Sequence, residues 1–202
     1  MKEIPLPLRH SIEAGNCVLF LGAGIGLHLL DSKGNPAPTG SDLAKELAEG
    51  FSIEADGVDD LAMIAEVVCI RKGRSDLEAY LRKRFSGLEP DEHLQWLLSM
   101  RWRAIYSTNY DYGIERACEL MPSPIQKPIT MSVTADFVDY DPRFEVPVFH
   151  LHGILFGPSK PQIVITQADY LRFRERRKML FERLKLDFLA HPTSAYVVRC
   201  MA

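Results

Sequence analysis

No stretch of this sequence is apolar over the length that a membrane-spanning helix needs, which is about 20 residues. The first five residues also lack the charged and apolar regions of a secretory signal peptide. Internal repeats and low-complexity segments are absent from the sequence. These absences argue against a membrane partner, and we expect the chain to be cytoplasmic.

Cysteine is scarce and scattered. The four cysteines are Cys17, Cys69, Cys118 and Cys200, and no two of them form a C-x-x-C pair. A zinc ribbon is built from such pairs, so the sequence excludes one. A disulfide framework is not expected in a cytosolic chain.

Positive charge is not in excess, because 24 Lys and Arg face 27 Asp and Glu. Nucleic-acid affinity rests on neutralising phosphates with Lys and Arg, so direct contact with nucleic acid is not expected. Residues 172–178 form one local exception, in which five of seven residues are basic. Their spacing favours a solvated helix face.

Strand and helix patterns alternate along the 202 residues. Strands are predicted at 18–21, 103–108, 146–152, 162–166 and 195–198. Helices are predicted at 6–15, at about 112–120, and from a capping box at Thr166 to about Leu189. The alternation predicts an α/β fold, Rossmann-like, with a mostly parallel sheet and helices on both faces. We expect a single domain over residues 1–202.

Between about residues 41 and 100 the pattern is helical throughout, with no second strand where a standard fold places one. Thr39 or Ser41 can cap the first of these helices. A capping box at Ser75 predicts the start of another, and Pro90 occupies a favoured first helical position. We interpret this region as a helical insertion or cap.

The apolar run 18–21 ends in three glycines, Gly22, Gly24 and Gly26. The run does not alternate with polar residues, which is typical of a strand buried on both faces of a parallel sheet. Glycine permits positive φ and close approach to the backbone, both of which suit a loop that binds a pyrophosphate. A glycine turn that binds nothing is an equally open interpretation.

The glycine segment does not fit the usual dinucleotide fingerprint. That pattern requires glycine where this chain has Leu27, and a carboxylate at the end of a second strand. Asp42 lies near the required distance but opens a helix. Hydride transfer is therefore not favoured.

Two further clusters follow predicted strands. Asn109 and Asp111 follow the strand at 103–108, where ligands of open α/β sheets bind. They can bind a ligand or merely cap the next helix. In the segment 149–153, strand alternation predicts that His150 and His152 share one face, and His152 is placed to act as a general base. An H-x-H metal site lacks a third ligand, and a histidine without a role is the other alternative.

The chain resembles the sirtuin family in three motifs that occur in the family's order: Gly22-Ala23-Gly24-Ile25, Thr108-Asn109-Tyr110-Asp111 and Leu151-His152-Gly153. In sirtuins such motifs line one NAD pocket. Residues 38–43, 104–111 and 163–170 resemble more closely the prokaryotic branch of anti-phage defence proteins.

The resemblance implies a role for each matching residue. Gly22, Ala23, Gly24 and Ile25 would offer backbone N–H groups to the pyrophosphate of NAD. Asn109 would hold the nicotinamide ribose and position a water, Asp111 would engage the carboxamide, and His152 would be the catalytic base. The implied reaction is cleavage of the nicotinamide–ribose bond by an NAD glycohydrolase of anti-phage defence. The resemblance also implies a homo-oligomer or a regulatory partner, for example a short Argonaute-type sensor.

The sequence departs from the family in two places. The four-cysteine zinc module of sirtuin deacylases is missing, so we expect no zinc and favour NAD hydrolysis over deacylation or ADP-ribosyl transfer. In the family, a G-x-S-type turn that holds the adenosine ribose follows the last strand, whereas this chain ends at Arg199-Cys200-Met201-Ala202. We therefore expect a truncated domain or a fragment, with an impaired nucleotide-binding remnant as the alternative.

Overall fold

The computed structural model describes residues 5–54, 60–131, 139–156 and 163–196 of the 202-residue chain. The strands in these ranges are β1 (Val18–Leu21), β2 (Leu29–Leu30), β3 (Glu89–Pro90), β4 (Ala104–Ser107), β5 (Lys127–Met131), β6 (Glu145–His150) and β7 (Thr193–Tyr196). The α-helices are α1 (Leu6–Glu13), α2 (Gly40–Gly50), α3 (Leu61–Lys72), α4 (Arg74–Phe85), α5 (Glu92–Leu98), α6 (Gly113–Leu120), α7 (Gln167–Arg176) and α8 (Lys178–Ala190). A 3₁₀ helix spans Ala23–His28.

The main sheet has five strands in the order β5-β6-β4-β1-β7, and every pairing is parallel. Strands β2 and β3 form a separate antiparallel pair of two residues each. The structure therefore confirms the α/β, Rossmann-like fold with a parallel sheet. The crossover from β1 to β4 contains α2 to α5, so the helical pattern predicted for about 41–100 is confirmed, with the short β3 inside it.

Both faces of the sheet are covered, which explains why β1 shows no alternation of apolar and polar residues. Leu19 and Leu21 belong to a large core cluster that includes residues of α2 to α6. Val18 belongs to a second cluster on the other face, together with Tyr106 and Leu180 of α8. All three β1 residues are at most 1% exposed. A strand buried on both faces needs apolar side chains in both directions.

Helix starts follow the capping residues in most cases. Thr39 accepts a hydrogen bond from the Asp42 backbone in a complete capping box at the start of α2, and Thr166 does the same with Asp169 at α7. The capping box predicted at Ser75 is wrong, because α4 begins at Arg74 directly after Gly73, and no side chain in the described ranges caps it. The start predicted at Pro90 is also wrong.

Helix α5 begins later than predicted, because the carboxylate of Asp91 accepts hydrogen bonds from the backbone of His93 and Leu94 and so fixes the N-cap. Pro90 instead lies in β3.

Three further predictions of secondary structure were wrong, and all of them concern residues after 120. Strand β5 was missed, since Pro128 and Thr130 lie in what reads as a proline-rich connection. Residues 163–165 do not form a strand, because their backbone bonds go elsewhere: Ile163 accepts from the Arg74 side chain and Ile165 donates to Asp169. The predicted single helix from 166 to 189 is two helices that meet at Arg177.

The last described strand, β7, pairs in parallel with β1 from Thr193 onward. Residues 197–202, on which the expectation of a missing ribose-binding turn depends, lie outside the described residues. In the described part of the chain, no helix combines the length and apolar character required to cross a bilayer.

Candidate active site

The three predicted motifs meet at one edge of the sheet. β1, β4 and β6 are neighbours, with Leu21 beside Ser107 and Ser107 beside His150 in register. The next residues are joined as well: the Thr108 N–H donates to the Leu21 carbonyl at 3.1 Å, and the Leu151 N–H donates to the Ser107 carbonyl at 2.8 Å. The sheet thus brings together segments that are distant in the sequence at the carboxyl ends of its strands, where ligands of such folds bind.

The glycine segment begins the 3₁₀ helix Ala23–His28, with Gly22 as its extended N-cap. Among the described residues, the glycines with positive φ do not include Gly22, Gly24 or Gly26, so the expectation that this segment needs left-handed backbone is wrong. The expectation that a ligand can approach the backbone closely is a separate one. A Cβ added to Gly22 would meet no atom of the described residues within 4 Å, so the backbone faces open space there. The first N–H groups of a helix lack intrahelical partners and can bind an anion at such a face.

Asn109 is held through its main chain. Its N–H donates to the Ser107 hydroxyl at 3.1 Å, and its carbonyl accepts from Nδ1 of His150 at 3.2 Å. The residue is half-buried, and among the described residues no hydrogen bond engages its side-chain amide. The structure therefore fixes the backbone of Asn109 on both sides of the residue.

Asp111 is buried and lies two residues before the helix that follows. Its Oδ1 accepts a hydrogen bond from the Gly113 N–H at 2.9 Å, at the start of α6. Burial raises the pKa of Asp111 above its usual range. A Cβ on Gly113 would lie 2.5 Å from the Leu29 side chain and 2.9 Å from Asp111 Oδ1, so this close packing requires glycine. Asp111 thus bonds the first N–H of α6, whereas the N-cap itself is Tyr112, and no side chain in the described ranges makes a capping bond there.

Strand alternation does not relate His150 and His152, because β6 ends at His150 and His152 lies in the turn beyond it. His150 is only 1% exposed, and its Nε2 lies 2.9 Å from Glu115 Oε1. Glu115 is equally buried and also accepts from the Thr130 hydroxyl at 2.6 Å. The prediction of a common face assumed two further strand residues that the structure does not have.

His152 occupies a mostly aromatic environment between β6 and α7. Its ring meets Tyr170 and Phe173 edge to face, with centroids 5.6 and 5.1 Å away. Burial and the nearby charge of Arg177 lower the pKa of His152 to about 4. The His152 carbonyl accepts from the Val164 N–H at 2.8 Å, which holds the turn in place. At neutral pH the imidazole is therefore uncharged.

Arg177 was missed in the sequence because it belongs to the basic run 172–178, which was interpreted as a solvated face. It is only 6% exposed and donates through Nη1 to the His150 carbonyl at 3.2 Å. The break between α7 and α8 turns this one residue inward. A basic residue within an apolar i, i+4 stripe was the signal available, since Phe173 and Phe181 flank it at that spacing.

One group of side chains in the described part of the chain has ligand atoms close enough for a metal ion: His28, Asp91 and His93. Asp91 accepts from His28 Nδ1 at 2.8 Å and lies 3.5 Å from Nδ1 of His93, whose side chain is 77% exposed. The H-x-H pair His150 and His152 does not belong to it. The Asp91 contacts are explained by its capping of α5 and its bond to His28.

Residues 103–195 match the family model of the SIR2-like domain. This range starts at the residue before β4 and reaches β7, so it contains Asn109, Asp111 and His152 but not the glycine segment. A search of curated proteins found no match. The family match supports a SIR2-family domain in this part of the chain, and with it an NAD-related function. It agrees with the sirtuin resemblance of the motifs.

Proposed function

We propose that this chain is an NAD glycohydrolase that cleaves NAD to nicotinamide and ADP-ribose. The observation that carries the proposal is the meeting of Gly22, Asn109 and His152 at the carboxyl ends of three adjacent parallel strands. Two of these three residues lie within the range that matches the SIR2-like domain. That domain by itself suggests an NAD-related function.

The glycine segment fits the pyrophosphate of NAD. The open space in front of Gly22 admits a ligand atom where any larger residue would place a methyl group. The backbone N–H groups of Ala23 and Gly24 begin a helical turn, and the positive end of a helical turn attracts phosphate. The Ile25 N–H, which the resemblance also assigns to the pyrophosphate, instead donates to the Gly22 carbonyl at 3.1 Å. We assign this segment to phosphate binding.

The chemistry is assigned to the neighbouring strand ends. Water attacks C1′ of the nicotinamide ribose while the bond to the ring nitrogen breaks and nicotinamide departs with the bonding electrons. Asn109 holds the ribose and orients the water, and uncharged His152 accepts the proton that the water loses. Asp111 engages the carboxamide. The transition state resembles an oxocarbenium ion, so fixed dipoles close to C1′ lower its energy.

Hydrolysis is favoured over transfer to a protein because the sequence has no four-cysteine zinc module. We further propose that the chain acts as an effector of anti-phage defence, as its resemblance to that branch implies. Such an enzyme requires control, and we expect this control to come from self-assembly or from a regulatory partner protein. Deacylation and ADP-ribosyl transfer are the less favoured reactions of the same pocket.

The experiment is incubation of the purified chain with NAD, followed by chromatography of nicotinamide and ADP-ribose. We expect Asn109→Ala and His152→Ala to abolish release of both products, each by at least about 100-fold, as is usual for groups that act on the reacting atoms. His10→Ala is the matched control, since His10 is exposed on α1. Turnover that survives both site substitutions contradicts the proposal.

A second function is favoured by the hydrogen bond from the Gly113 N–H to Asp111, which already uses one carboxylate oxygen. In that case the pocket binds a nucleotide without cleaving it. Titration calorimetry with NAD distinguishes the two: binding without release of nicotinamide supports a nucleotide-binding module, whereas binding with release supports the hydrolase.

A further inference from the structure

Both ring nitrogens of His150 face groups that only accept hydrogen bonds. Nδ1 lies 3.2 Å from the main-chain carbonyl of Asn109, and Nε2 lies 2.9 Å from a carboxylate oxygen of Glu115. A neutral imidazole has one N–H and can satisfy only one of these acceptors. With Glu115 ionised, both bonds can form at once only when each nitrogen carries a proton, so the ionised carboxylate calls for a buried imidazolium.

The surroundings of His150 support the charged form. Burial by itself would lower the pKa of His150, but the Glu115 carboxylate and its hydrogen bond carry that pKa above its usual value. The pKa of Glu115 changes in the direction expected for the partner in an ion pair. Burial by itself would raise it, but the charge and hydrogen bond of His150 outweigh burial and lower it. Asp111 adds a further acidic group that raises the pKa of His150, whereas the cationic Arg177, which donates to the His150 carbonyl, does not favour the charged form. His150 and Glu115 therefore form an ion pair whose charges cancel.

A buried ion pair contributes little to stability compared with apolar packing, so its stability alone does not explain its presence. In the structure the pair holds Asn109. The peptide groups on either side of Asn109 are fixed by buried side chains, Ser107 on the N–H and His150 on the carbonyl. Oε2 of Glu115 is buried and has no hydrogen-bond partner among the described residues, so Glu115 is committed to His150 and Thr130 through its other oxygen.

We propose that His150 is a positioning residue for cleavage of the nicotinamide–ribose bond, and that it acts by clamping the main chain of Asn109 while Glu115 keeps it charged. The inference rests on the proposed function. His150 itself is 1% exposed, so we assign it no contact with the substrate. Small displacements of a group that orients a reactant reduce rate steeply, by about 100-fold for about 1 Å.

Two substitutions of His150 separate its bond to the Asn109 carbonyl from its bond to residue 115. The amide nitrogen of Asn reaches the place of Nδ1, so His150→Asn keeps a donor for the Asn109 carbonyl. The amide nitrogen of Gln reaches the place of Nε2, so His150→Gln keeps a donor for residue 115 and releases Asn109. Both are made in a Glu115→Gln background, because an unpaired buried carboxylate would otherwise destabilise the fold. Each protein is assayed for nicotinamide release and for its thermal midpoint.

We expect His150→Asn to retain kcat within about tenfold of the Glu115→Gln parent, and His150→Gln to lose about 100-fold in kcat with a smaller change in KM. A merely structural role predicts equal losses that follow the thermal midpoints. Equal losses, or a larger loss for Asn than for Gln, overturn the inference while the wild-type activity stands. A wild-type chain that releases no nicotinamide overturns the proposed activity itself, together with the positioning role that depends on it.

Discussion

The proton affinity of a single imidazole decides how the proposed reaction responds to pH. His152 is packed against Tyr170 and Phe173, and burial together with Arg177 lowers its pKa to about 4. The pH dependence of kcat/KM reports groups of the free enzyme. We expect the acidic limb of nicotinamide release to lie well below the ordinary histidine value of about 6.5, since His152 stays uncharged there. A limb at or above that value would contradict this environment for the base.

The open face of Gly22 leads to a prediction that separates binding from folding. Gly22 has φ −94°, and a Cβ added there would meet no atom of the described residues within 4 Å, so Gly22→Ala can adopt the native backbone. The free energy of unfolding should be unchanged or higher by about 0.4–1 kcal/mol, because alanine restricts the unfolded chain. NAD affinity should fall about tenfold or more, equivalent to about 1.4 kcal/mol, because the methyl group takes the space of the phosphate.

Calorimetry with NAD and urea unfolding measure the two effects. Gly40→Ala serves as the control, since a Cβ at Gly40 also meets nothing in the described ranges within 4 Å but lies at the start of α2. Unaltered NAD affinity in Gly22→Ala would contradict the assignment of the glycine segment to phosphate binding.

At the scale of elements, one arginine joins the helical region to α7. Arg74, the first residue of α4, donates to Asp169 at 2.6 Å, to Glu78 at 2.9 Å and to the Ile163 carbonyl at 2.6 Å. Asp169 in turn completes the capping box at the start of α7. The contact therefore fixes both the entry of α7 and the chain segment that precedes it.

Asp169→Asn should destabilise the fold by about 1–3 kcal/mol at neutral pH, the usual range for hydrogen bonds to a charged group. Burial opposes ionisation, but the Arg74 and backbone hydrogen bonds outweigh it and lower the pKa of Asp169. Stability from a lowered carboxylate pKa is complete above the unfolded value of about 3.9 and is lost as pH falls through the folded one. The difference between wild type and variant in urea unfolding should shrink as the pH falls below about 3.9. A difference that is the same in acid and at neutral pH would contradict the ion pair.

Element types were predictable where local patterns determine them. The capping residues Thr39 and Thr166 marked two helix starts, and the apolar run of β1 indicated a strand buried on both faces. Competing local bonds and one tertiary contact decided the failures. Asp91 displaced the expected start at Pro90, and backbone bonds to Arg74 and Asp169 took residues 163–165 out of the sheet.

For the whole molecule, motif order carried more information than any one motif. The glycine segment, the Asn109 cluster and the histidine cluster each had an alternative without function, and the strand order β6-β4-β1 now places them at one edge. No local pattern predicted the pairing of His150 with Glu115 or the burial of Arg177, because both depend on contacts between distant elements. The residue roles in NAD cleavage stay predictions.

Two hydrogen bonds, at Ile163 and Val164, connect the helical region to the turn that carries His152. Arg74 binds the Ile163 carbonyl, and the next N–H, of Val164, binds the His152 carbonyl. The Val164 amide proton is consequently a reporter for hydrogen exchange. Arg74→Lys should speed its exchange while the amides of β1 and β4 remain as slow as in the wild type, and unchanged exchange at Val164 would contradict the connection. A partner that shifts α4 would be detected at the same proton, beside the proposed base.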